Sequence, residues 1–181
     1  MSAPHAYQLG VLCVASLAAI FDWRTGRIPN WLTLGAVVLA LPFHAWMTSA
    51  SSGRDPLEGV KWALLGAAVC TCPVLLAWRF GWVAAGDVKL VAAMGAVGGL
   101  SLGLEAVFLA LLCAASFILL RLAWGGTFLR TVGDGVTFAI GRTLYRKKKL
   151  VPVVAPQATV RFGPFALTGA ALSLVLHGGF A

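Results

Sequence analysis

Two carboxylates stand out in a chain that has almost none: Asp22 and Asp87. The 181 residues include six acidic side chains, and 60% of the residues are hydrophobic. The mean hydropathy is +0.89. Asp22 ends the first apolar run, Gln8 to Phe21, and leads into FDWRTGRIPN, whereas Asp87 opens the fourth, in WVAAGDVKL. An ionisable group at the edge of an apolar span is costly unless it has a task or a partner. A pair of them suggests acid–base activation of water of the aspartic-protease kind.

The remaining acids are placed less well for chemistry. Asp55 and Glu58 fall in SSGRDPLEG, between the second and third apolar runs, and Glu58 can pair with Lys61. Glu105 begins a later run, and Asp134 sits in a basic stretch. His5, His44 and His177 map to the opposite end of the spans from the two aspartates, where surface or capping roles are expected. No HExxH, Gly-x-Ser-x-Gly or phosphate-binding glycine loop occurs, so metal and serine mechanisms have no support and no cofactor is implied. Cys13, Cys70, Cys72 and Cys113 lie inside apolar runs and are expected to be small buried residues.

The elements that must position the pair are membrane helices. A bilayer core of about 30 Å needs about 20 apolar residues at 1.5 Å each. Apolar runs at roughly 6–21, 31–50, 57–78, 88–101, 104–123 and 163–180 predict an all-α, polytopic fold of six transmembrane helices. The six form one membrane-embedded domain over 1–181, with a cytoplasmic loop at about 124–161. A single helix from Val88 to Trp124 would be about 55 Å long, so the glycines of AVGGLSLGL are the expected turn. Gly26 and Pro29 mark a turn after Asp22, and Asn30 can cap the helix that follows.

Charge sets the orientation. With the N-terminus outside, the inner side holds Arg24, Arg27, Arg79, Lys89, Arg121, Arg130, Arg142, Arg146, Lys147, Lys148, Lys149 and Arg161. The outer side holds only Arg54 and Lys61, a 12-to-2 split that puts Asp22 and Asp87 together on the cytoplasmic face. The net charge of +8 then reads as basic loops against anionic lipid headgroups and not as nucleic-acid affinity. The segment FLRTVGDGVTFAIGRTLY has the pattern of an interfacial amphipathic helix, and its loop is a possible docking site for a partner.

Helix ends make the pairing chemically sensible. Asp22 at a helix C-terminus is favoured in its protonated form and Asp87 at a helix N-terminus as the anion, although Arg24 and Arg27 oppose the first effect. Two adjacent carboxylates do not readily both ionise, so they share a proton.

At these residues the chain resembles the prepilin peptidase family, membrane aspartic peptidases of the GxGD type. That pattern has one aspartate ahead of an I-P-N turn, here Asp22 with Ile28, Pro29 and Asn30. The second lies in GxGDxK, matched by Gly86, Asp87 and Lys89, with Ala84 where the first glycine stands. RFGPFALTGA, with Gly163 and Pro164, resembles the family's segment at the start of its last helix. The resemblance implies Asp22 and Asp87 as the catalytic residues and a plasma-membrane enzyme acting on prepilins or pseudopilins. Such an enzyme removes a short basic leader from an apolar helix at the cytoplasmic boundary. The methyltransferase portion and paired CxxC motifs of longer members are not in this sequence, so it resembles the short tight-adherence (Flp-type) form. Other GxGD peptidases and a small transporter or assembly scaffold are the alternatives; a transporter is expected to hold its acids near the midplane of an inverted repeat. The sequence leaves the oligomeric state open.

Overall fold

The computed structural model describes residues 3–80, 83–124 and 161–176, all of them helical apart from short turns. The order is α1 (Ala3–Thr25), α2 (Asn30–Ser52), α3 (Pro56–Arg79), α4 (Ala85–Trp124) and α5 (Gly163–Leu176). Four of these are long and apolar enough to cross a membrane, not the expected six: α1, α2, α3 and the 37 residues Ala85–Arg121 of α4. The expected fourth and fifth spans lie within the one element α4. The expected sixth is the 14-residue α5, which at 1.5 Å per residue reaches only about 21 Å.

The chain forms two compact units. The first comprises Met1–Cys113 and Arg161–Ala181 and contains everything described below. Of the second, Ala114–Val160, the described part is the helical end of α4, through Trp124. The expected amphipathic helix, the possible docking loop and the RKKK run of Arg146 to Lys149 lie outside the described residues.

α4 breaks at Gly99, whose φ of 67° and ψ of −165° only glycine adopts readily. A Cβ on Gly103 would lie 2.8 Å from Gly95 Cα and 3.2 Å from the Met94 carbonyl oxygen. In a continuous helix, positions eight apart are separated by about 12 Å along the axis. The chain therefore doubles back at the glycine cluster, where the sequence pattern put the turn.

The first arm of α4 is the centre of the bundle. Leu90, Val91, Ala93 and Met94 are fully buried and Ala96 is nearly so, as expected for a helix that is apolar on every side. α1 turns a stripe at helical spacing inward, with Val11, Ala15, Ala18 and Asp22 all buried. α1 packs along α5 and α2 along α3. Contacts at glycine bring backbones close: a Cβ on Gly66 would run into the Gly95 carbonyl, and one on Gly169 into Ala110 N. Small residues of this kind are how membrane helices approach closely, because apolar burial gives no driving force between helices in lipid. Outward faces carry large apolar side chains such as Leu34, Leu39, Leu65 and Phe108.

Two expectations about individual side chains fail. His44 is not a surface or capping residue. It is 5% exposed, stacks on Tyr7 at 4.5 Å and donates from Nε2 to the Val97 carbonyl at 3.0 Å. It thus braces α2 against α4 two residues before the break. Among the cysteines only Cys70 is buried, while Cys13 and Cys72 are exposed on outward helix faces.

Candidate active site

The end of α1 is shaped by Gly26, whose φ of 64° is left-handed and whose N–H donates to the Asp22 carbonyl at 3.0 Å. This glycine stop closes the helix after Thr25. Asp22 therefore lies in the last turn of α1 and not beyond it, with its side chain 6% exposed. Phe21 and Trp31 meet edge to face at 5.7 Å, which fixes the turn between α1 and α2. Pro29, with φ −67° and ψ 137°, precedes α2. Asn30 is the first residue of that helix and does not cap it: no side-chain cap is made there. Its Oδ1 instead accepts from Lys89 Nζ of α4 at 2.9 Å.

Asp87 lies in the first turn of α4, and its backbone N–H donates to the Ala84 carbonyl at 3.1 Å. The Val88 N–H shares that acceptor at 3.4 Å, and Asp87 is half-buried at this helix start. Ala84 needs none of the conformational freedom of the glycine it replaces, because no residue other than glycine has a positive φ among the described residues. Ala84 is also exposed, so its methyl group displaces nothing.

The two carboxyls are brought together. The charge of Asp22 bears on the Asp87 carboxyl, which is itself partly withdrawn from water. The motif residues gather with them. A Cβ on Gly86 would lie 3.9 Å from Ile28 Cβ, and Lys89 reaches Asn30. The I-P-N turn and the G-D-x-K turn are thus in contact, though 64 residues and two helices separate Asp22 from Asp87.

The start of α5 completes the arrangement. Gly163 N–H donates to Asp22 Oδ2 at 2.9 Å. This donor belongs to the first residue of α5, where no carbonyl of the same helix can take it. Pro164 follows at a position that needs no N–H. Arg161 Nη1 donates to the Trp23 carbonyl at 2.7 Å, so it caps the end of α1. Asp22 sits between two opposing helix ends, the negative end of α1 and the positive end of α5. The expectation of a bare C-terminal position omitted α5. Gly163 and Pro164 were singled out only through the resemblance, and nothing in the sequence tied the Gly163 N–H to Asp22. Arg161 was counted among the inner basic residues without a contact.

Chemically, two carboxyls on adjoining turns, one of them held by a backbone donor, can share a proton and act on a water between them. Two of the other acids among the described residues lie elsewhere in the fold. Asp55 caps α3 by accepting from Leu57 N at 3.0 Å, and Glu105 lies on the second arm of α4.

Comparison with known proteins identifies the family. Residues 9–119, more than half of the chain and including both aspartates, match the model of the type IV leader peptidase family. No curated protein and no solved structure matches the chain. Members of that family are aspartic peptidases with prepilin substrates. The chain belongs to the type IV leader peptidase family.

Proposed function

We propose that Asp22 and Asp87 are the catalytic pair with which this leader peptidase cleaves prepilins, and that it does so at the cytoplasmic boundary of the plasma membrane. The observation that carries the reading is the meeting of the two aspartate-bearing turns, where Gly86 lies beside Ile28 and Lys89 Nζ reaches Asn30 Oδ1 at 2.9 Å. In this mechanism the pair holds one proton. The ionised carboxyl takes a proton from water as its oxygen attacks the scissile carbonyl carbon, and the protonated one hydrogen-bonds to the developing oxyanion. Collapse of the tetrahedral intermediate breaks the C–N bond, and the proton gained from water goes to the leaving amine. No covalent enzyme intermediate forms.

Several features support the boundary placement. Trp23, Trp31 and Trp78 are exposed at the same end as the pair, and Trp46 and Trp62 towards the other, the pattern of aromatic belts at two interfaces. Arg24, Arg27, Arg79, Lys89 and Arg161 are at the aspartate end and Arg54 and Lys61 at the opposite one, which fits a cytoplasmic site. The excess of basic groups repels a basic leader, so substrate binding rests on apolar contacts with the helix behind the leader. Membrane lipids cover the remaining outward faces.

Among prepilins, we assign those of tight-adherence (Flp-type) pili as substrates, on the likeness of this sequence to the short peptidase form. Co-expression with such a prepilin, with leader removal read by gel shift and mass spectrometry, tests the assignment. A mature N-terminus one leader shorter is expected. An uncut prepilin beside a well-accumulated enzyme contradicts it.

A further inference from the structure

The two aspartates are carried by helices that are distant in sequence, and their separation has to be set by something at this end of the bundle. Two contacts between the α1–α2 turn and α4 are available. Ile28 lies beside Gly86, with nothing polar between them. The other contact is directional: Lys89 Nζ donates to Asn30 Oδ1 at 2.9 Å. We propose that Lys89 and Asn30 are positioning residues, a strut that holds the turn after Asp22 at the distance from α4 at which the two carboxyls act together. The proposal rests on the reading of Asp22 and Asp87 as the catalytic pair.

Each end of the strut is stiffly mounted. Lys89 is followed by Leu90 and Val91, both without exposed surface, so its backbone is fixed by the packed centre of the bundle. Asn30 opens α2 directly after Pro29, and its neighbour Trp31 packs on Phe21, next to Asp22. Holding Asn30 therefore holds the last turn of α1. A lysine has only donors, so the amide must present its oxygen.

The chemistry of the partner matters too. An ammonium two residues from Asp87 would be drawn by charge to a carboxylate. Paired that way it would bind the anion and compete with the shared proton. Directed to a neutral amide, Lys89 gives a charge-assisted bond without entering the pair. Among the described residues it makes no ion pair with Asp22 or Asp87.

The test uses the full-length protein purified in detergent and a prepilin peptide, with kcat and KM measured separately. Lys89→Met and Asn30→Leu are each expected to lower kcat by about ten-fold or more, as displacement of reacting groups does, with KM within about two-fold. The double variant should be no slower than the slower single, because one interaction is lost once. Lys89→Arg and Asn30→Asp keep a donor and an acceptor, and should recover most of the rate. Additive losses, losses confined to KM, or singles at the wild-type rate overturn the strut. Should Lys89→Met fail to accumulate, the contrast between Asn30→Asp and Asn30→Leu decides alone. Asp22→Asn and Asp87→Asn run in parallel. If they are inactive while the strut variants are additive, only the strut falls; if they cleave, the catalytic pair falls and the strut with it.

Discussion

Gly163→Ala isolates the contribution of α5 to Asp22. A Cβ at this position would lie 2.8 Å from Asp22 Cβ, 2.9 Å from Asp22 Oδ2 and 3.1 Å from Ala19 Cα. Carbon–carbon contacts settle at about 3.5–4.0 Å, so the two helices must part by about 1 Å. Ala19 Cα is backbone, and no side-chain rotation relieves that contact. Parting by this amount takes the Gly163 N–H to Asp22 bond from 2.9 Å out to nearly 4 Å, beyond hydrogen-bonding range. A bond to a charged group contributes about 1.5–3 kcal/mol. If the transition state uses it in full, the rate falls by roughly ten- to a hundred-fold. Single-turnover cleavage of a prepilin peptide in detergent, followed by mass spectrometry, measures this. Gly35→Ala is the matched comparison, since an added Cβ there meets nothing within 4 Å. It should keep the wild-type rate and stabilise α2 slightly, by about 0.5–1 kcal/mol. Wild-type turnover by a folded Gly163→Ala enzyme would refute the role given to α5.

Other consequences are as direct. Cysteines placed at Arg24 and Arg79 should resist an impermeant thiol reagent in intact cells, and labelling of either reverses the orientation. Cleavage should persist in EDTA, because a carboxylate pair needs no metal; loss with EDTA that added zinc restores would mean that the mechanism is wrong. The rate should fall at both ends of the pH range as the shared proton is lost or a second is gained, and a flat profile would argue against proton sharing. His44→Leu removes the donor to the buried Val97 carbonyl and should cost about 1–3 kcal/mol of stability, read as a lower melting temperature in detergent.

The site was legible in the sequence to the extent that acids were scarce and their neighbours patterned. Asp22 with Ile28, Pro29 and Asn30, and Gly86 with Asp87 and Lys89, do come together, and Gly99 breaks the chain within the glycine cluster expected to turn it. What was not legible depended on contacts between helices. Hydropathy marks where a chain is apolar but not where a helix stops, so α1 runs past Asp22 to Thr25. Asn30 has the side chain of a cap, but Pro29 holds the cap position and a cation on a distant helix takes the Asn30 oxygen. His44 was assigned by its depth in a span, and its aromatic and carbonyl partners come from α1 and α4. Gly163 was named from the resemblance, but the backbone donor that it gives Asp22 is a contact between helices that residue type does not show.

The central claim is that both carboxyls act in peptide cleavage, and isosteric replacement tests it most directly. Asp22→Asn and Asp87→Asn keep the shape of each side chain, and an amide cannot pass a proton in this role. Each variant, purified to the wild-type level and melting at a comparable temperature, should leave the prepilin leader uncut. Under the same conditions Asp55→Asn, Glu105→Gln and Asp134→Asn should retain most activity. Leader removal by either the Asp22→Asn or the Asp87→Asn enzyme, at a rate near that of the wild type, would contradict the account.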